Sequence, residues 1–328
     1  MFFVPVSLDT ALEDAGVRAE GACSILGGVN PTEARNVWLS TNAIPRERWD
    51  DVIAHETCHS DLLTSSAYGH AQQMLFRYNA FLRNQEFYNL FGDKAESFLK
   101  LCLPLGKKLN SLSWFAHEGA AVAYGVIAWQ RVRGTEETLK YYLDQHPENY
   151  QVAYYPYGFA MNQILATRRA DSTLLAVLPN ALAQYCLNSN VMDVVFECLR
   201  IGTIDDALVA ALEEDSPNKR LAILLEIFDG QLVNALLDSY DSLKFRLRME
   251  VRCLDLMEVN DLVNNCILTA LDRRLPGKIA FFHSRDVLRR LKELFASLDL
   301  PSQLRLEWYD VSTDLEKRKN FTRYNLVD

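Results

Sequence analysis

Read for the spacing of its apolar positions, the chain changes character near Pro45. Before it lie short β-prone runs, Phe2 to Val6, Ala22 to Leu26 and Asn36 to Ser40, separated by Gly27-Gly28 and Asn30-Pro31 turn chemistry. Together they predict a small N-terminal β-sheet. In the third run Val37 and Leu39 alternate with Trp38 and Ser40, the pattern of a half-covered strand. After Pro45 the period becomes helical. Pro45 suits a first helical turn, Glu47, Asp50 and Asp51 favour its positive end, and no further proline or glycine occurs before Gly69. That predicts a helix over about 45–64. Further helices are expected at about 66–91, 94–103, 109–131, 135–145, 158–168, 172–187 and 190–200, with more up to about 298. The last, Ser284 to Leu298, sets Val287, Leu288, Leu291, Leu294, Phe295 and Leu298 on one stripe. The fold class expected is therefore α+β, a small N-terminal sheet followed by a predominantly α-helical body. The polar stretch Arg169 to Ser172 divides residues 1–168 from a mostly helical 169–328.

Composition narrows the classes of function. The 328 residues are 49% hydrophobic and 23% charged, a soluble globular balance, and no apolar run approaches the roughly 18 residues of a membrane span. A net charge of -9 disfavours nucleic acid as a partner. Residues 269–328 carry +3 against -12 for the rest, which reads as solvated helix faces and a polar tail. Seven scattered cysteines without a C-x-x-C pair suit reduced core thiols. The start, MFFVPVSLDT, has no basic region, no sustained apolar region and no small-residue cleavage site, so a cytoplasmic location is expected.

The chemistry concentrates in Trp49-Asp-Asp-Val-Ile-Ala-His55-Glu56-Thr-Cys-His59-Ser-Asp61. Histidines four apart on a helix lie about 40° apart around the axis, so both imidazoles can reach one ion. Glu56 falls about 100° from His55, beside the metal, where a general base for a metal-bound water belongs. A second stretch runs from Ser113 to Trp129, where His117 and Glu118 are the only ionisable side chains that would be charged near neutrality, set among small and apolar residues. Burying a lone carboxylate costs several kcal/mol unless it is paired or bound to metal. Gly119, Ala120, Ala121 and Ala123 would let this helix approach another closely.

The first stretch resembles the H-E-x-x-H helix of the zinc metallopeptidases, the zincins, with uncharged Val52, Ile53, Ala54, Thr57, Cys58 and Ser60 around the motif and Asp61 where that pattern has a hydrophobic residue. A metzincin would place its third histidine at position 65, which is Ser65, and His70 reads as a loop or helix-start residue. The second stretch is similar to the third-ligand helix of the gluzincins, although 58 residues separate His59 from Glu118 and position 122 is Val122 rather than an acid. The resemblance covers roughly residues 36–125. It implies Zn²⁺ held by His55, His59 and Glu118, Glu56 as the base that takes a proton from a water and passes it to the leaving amine, and His117 facing substrate or supporting a ligand. An oxyanion donor is also useful to such chemistry, and Tyr157, with Tyr155 next, stands in Tyr154-Tyr-Pro-Tyr-Gly158, which reads as a loop-to-helix junction. An edge strand beside the metal helix is how these peptidases hold an extended substrate; whether Asn36 to Ser40 is edge or central stays open.

The leading expectation is a zinc metallopeptidase acting on a peptide or protein, with the helical region after about residue 165 covering the cleft or receiving a regulatory partner. Two alternatives stand beside it: a zinc hydrolase of non-peptide amides or esters, and a helical interaction protein whose motif is vestigial or structural.

Overall fold

The computed structural model of the chain describes residues 27–29, 36–40, 46–133, 140, 142–249, 256–298 and 323–327. These residues are predominantly helical, with only three short strands, which overturns the expected α+β class. Of the expected strands, Phe2 to Val6 and Ala22 to Leu26 lie outside the described residues. Asn36–Ser40 (β2) is extended, pairs antiparallel with Gly27–Val29 (β1), and pairs in parallel with Arg323–Val327 (β3) from the far end of the chain. It is therefore flanked on both sides from Val37 to Leu39, a central strand and not an edge. Among the described residues, the large buried cluster runs from Cys58 to Leu298.

The first long helix is α1, Trp49–Ser65, with Asp50 and Asp51 in its first turn. It stops at Ser66, whose backbone is extended and whose hydroxyl accepts from Gly69 N–H, capping α2, Ala67–Leu82. The turn is tight: a Cβ on Gly69 would lie 2.5 Å from Leu63 Cα, so only glycine fits. The expected helix over 66–91 is in fact two, α2 and then α3, Gln85–Phe91, because Asn84 turns extended and caps Glu86 N–H.

The centre of the molecule is α4, Ala95–Arg133, a rod of 39 residues, about 58 Å long. Two helices were expected here with a break near Pro104, yet the helix runs through Pro104. A proline removes one N–H and costs about 3 kcal/mol in a helix interior. Complete burial of Cys102, Leu105 and Leu109 around it offsets that. The next helix, α5, Glu148–Ala166, likewise continues through Pro156. There follow α6, Ser172–Leu187, α7, Val191–Ile201, α8, Asp206–Glu214, α9, Pro217–Ile227, α10, Gly230–Met249, α11, Leu256–Arg274, and α12, Ser284–Ser297, whose Val287, Leu291 and Phe295 are buried as its stripe predicts. Helices α1, α2, α5, α6 and α9 all pack on α4. The buried cluster runs without a break across residues 168 and 169, where Arg168 takes a positive φ of 57°. No described helix is long and apolar enough to cross a membrane.

Candidate metal centre

Helix α1 presents His55 and His59 one turn apart, and their Nε2 atoms lie 3.1 Å from each other. From α4, Glu118 Oε2 lies 3.5 Å from His55 Nε2 and 3.3 Å from His59 Nε2. Among the described residues this is the one group of three His, Cys, Asp or Glu side chains that brings ligand atoms within 4.8 Å of one another. All three side chains are largely buried, at 12–16% exposure.

The donor set fits zinc on two counts. Ligand distances of about 2.0–2.1 Å in a tetrahedral shell put neighbouring donors about 3.3–3.4 Å apart, and the three separations observed bracket that spacing. The second count is Glu118 Oε2 itself, which is buried without a hydrogen bond; contacts of 3.3 and 3.5 Å are too long for a charge-assisted one. A buried carboxylate oxygen with no donor and two imidazole nitrogens aimed at the same point are three electron-pair donors in want of a cation.

Without an ion, the same three groups offset one another's charge. Burial works against the Glu118 carboxylate, yet His59 and His55 hold it well below the usual carboxylate range. Burial likewise works against a charged His59, but the Glu118 carboxylate reverses this and lifts the imidazole to about 9. Glu56 is 7% exposed; burial raises its carboxyl, with His55 and His59 pulling the other way. A raised carboxyl next to the ligands is what a proton-accepting group in this position requires. His117 sits with its ring 4.8 Å from that of His59, and burial together with His59 pushes it down to about 3, a neutral imidazole.

Small residues on α4 make the approach possible, and they serve two neighbours. Gly125 meets the Tyr142 hydroxyl, into which a Cβ would run, with the Asp51 carbonyl of α1 next at 3.4 Å. Gly119 instead meets α5, where a Cβ would stand 2.1 Å from the Ala153 carbonyl. Glu118 is held between the two contacts, and Ala116, Ala120, Ala121 and Ala123 are fully buried beside it.

Tyr157, expected as an oxyanion donor at a loop-to-helix junction, is placed otherwise. It lies inside α5, is fully buried, and its hydroxyl donates to the Ala116 carbonyl at 2.5 Å. Burial of the apolar face formed by Ala153, Tyr157, Ala160, Met161 and Ile164 keeps the helix intact around Pro156, so no junction forms there. Tyr155 points outward at 65% exposure. His70 is buried on α2, outside the three-residue group. The residues that do flank the site had no local signal: the Tyr150 ring stacks on His55 at 6.5 Å, Trp114 meets Tyr150 edge-on at 5.5 Å, and His146 lies 6.3 Å from Tyr150. Trp114 alone was legible in principle, since it stands four residues before Glu118 on the same helix face.

No protein-family model, curated protein or solved structure matches the chain.

Proposed function

We propose that the chain is a zinc-dependent hydrolase of peptide bonds with a gluzincin-like ligand set. The observation that carries the reading is the convergence of His55 Nε2, His59 Nε2 and Glu118 Oε2, from two helices, at 3.1–3.5 Å from one another. Those three residues would hold the ion and leave one position open. When bound, zinc supplies Lewis acidity, polarising a carbonyl and lowering the pKa of a water to about 7. Glu56 then does the proton work of this chain. Its carboxylate takes a proton from the attacking water and delivers it to the nitrogen that leaves, and burial, which raises its carboxyl, favours the first transfer. The neutral His117 and the Trp114–Tyr150 pair border the ligands on either side, so substrate meets rings rather than charges there.

The expected partner is a peptide or protein substrate, with the helices after α5 available to a regulatory protein. A cytoplasmic location goes with the reading, supported by the free thiols of Cys58, Cys102, Cys186, Cys198 and Cys266.

Elemental analysis of the purified chain tests the site. About one zinc per chain is expected in the wild type, with loss in His59→Ala and in Glu118→Ala separately. A wild type that takes up no zinc on dialysis against it would sink the reading in favour of an interaction protein.

A further inference from the structure

The segment carrying Tyr142, His146 and Tyr150 is docked on the start of α1 by Arg48. The Arg48 Nε and Nη2 donate to Asp51 Oδ2 at 3.2 and 2.9 Å, Nη1 donates to Gln145 Oε1 at 3.1 Å, and the guanidinium lies 5.4 Å from the centre of the Tyr142 ring. Asp51 stands one turn before His55 on the same face of α1. The docking therefore brings the segment alongside the ligands, and His146 is close enough for the charges of His55, Arg48 and Glu118 to act on it.

His146 is fixed in one protonation form by its own neighbours. Its Nδ1 lies 2.9 Å from the Tyr142 carbonyl oxygen. A carbonyl oxygen only accepts, so Nδ1 carries the hydrogen, and in a neutral ring the lone pair is then on Nε2. The Tyr142 ring packs 4.6 Å from the imidazole, and Gln151 Nε2 donates to the His146 carbonyl at 2.9 Å, which holds the turn in place. Burial keeps the ring neutral, pushing it down to about 4. The result is a half-buried imidazole with a fixed acceptor, one aromatic ring away from His55.

We infer that His146 Nε2 accepts a hydrogen bond from the N–H of the bond to be cleaved, and so makes the site select amides over esters. This rests on the zinc-hydrolase reading above. An amide offers a donor at that position and an ester an oxygen lone pair, so a fixed acceptor gains a bond with the first and faces repulsion from the second.

Hydroxamates that bind the metal through their two oxygens isolate this contact, because the N–H can be replaced by N–CH₃. The full chain loaded with Co²⁺, whose visible absorption reports ligand binding, is titrated with acetohydroxamate and with N-methylacetohydroxamate. The wild type should bind the N–H compound about tenfold more tightly, the worth of one hydrogen bond in a dry site. His146→Phe keeps a ring of similar bulk without the acceptor, so any steric preference survives it while the hydrogen-bond preference falls to about twofold or less. His146→Gln restores an oxygen near the Nε2 position and should recover most of it. No preference in the wild type, or the same preference in wild type and His146→Phe with cobalt bound in both, overturns the inference and leaves the metal site standing. A wild type that takes up no cobalt overturns the metal reading itself, and this inference with it.

Discussion

Gly119 stands so close to Ala153 that a Cβ on it would lie 2.1 Å from the Ala153 carbonyl oxygen and 2.6 Å from Tyr157 Cε2. One of those obstacles is backbone, so neither helix can yield locally, and the residue before Gly119 is Glu118. Gly119→Ala should therefore force α4 and α5 apart, at a cost of about 1–3 kcal/mol, and carry Glu118 away from the two histidines. Urea unfolding and zinc titration check this together. A variant as stable as wild type that still binds zinc tightly would contradict the close contact.

On the proposed reading, Glu56 moves protons without holding the ion. Glu56→Gln should keep about one zinc per chain and lose peptide turnover by about 10²- to 10⁴-fold. Metal content and single-turnover cleavage of a peptide library, measured on the same preparation, separate the two effects; undiminished cleavage would remove Glu56 from the mechanism.

Tyr157 belongs to the packing of α5 on α4. Tyr157→Phe removes its hydrogen bond to Ala116 and should lower stability by about 1 kcal/mol, with turnover within about threefold of wild type. A loss nearer the 10²-fold typical of an oxyanion donor would restore its catalytic assignment.

His70 should shape the acid limb of stability. It is buried, its Nε2 has no hydrogen-bond partner, and burial with the nearby Arg77 charge pushes it down to about 4. Its folded value lies below its ordinary 6.5, so between those values the unfolded chain binds more protons than the folded one. Stability from the neutral ring is complete above about pH 6.5 and is lost as pH falls towards 4. In His70→Phe the rise of unfolding free energy with pH over this window should be shallower by about 1 kcal/mol per pH unit. Chemical denaturation at several pH values gives the slope, and an unchanged one would rule His70 out as its source.

Much of the candidate metal centre is legible along the chain, and the reasons differ from residue to residue. His55, Glu56 and His59 read as a unit because a helix repeats every 3.6 residues, which puts the two histidines on one face whatever surrounds them. Glu118 reads through its company, since a carboxylate among buried alanines needs a countercharge. Tyr157 misleads because Tyr-Tyr-Pro-Tyr-Gly has the form of a helix start, while burial on both sides of Pro156 carries α5 through it. His146 and Tyr150 carry no local mark of function. The place of Tyr150 against His55, with His146 packed on Tyr150, depends on Arg48 reaching Gln145, 97 positions away in the chain.

Periodicity says which residues share a face of a helix, and that was enough to set out the H-E-x-x-H turn, the small-residue helix around Glu118 and the amphipathic α12. It does not say which faces meet. The predominantly helical class, the passage of α4 and α5 through their prolines and the closure of 58 residues between His59 and Glu118 into contacts of 3.3–3.5 Å all came from packing. The physical reason is that each depends on apolar area buried between distant segments, which outweighs local helix-breaking preference and which no short window of sequence contains.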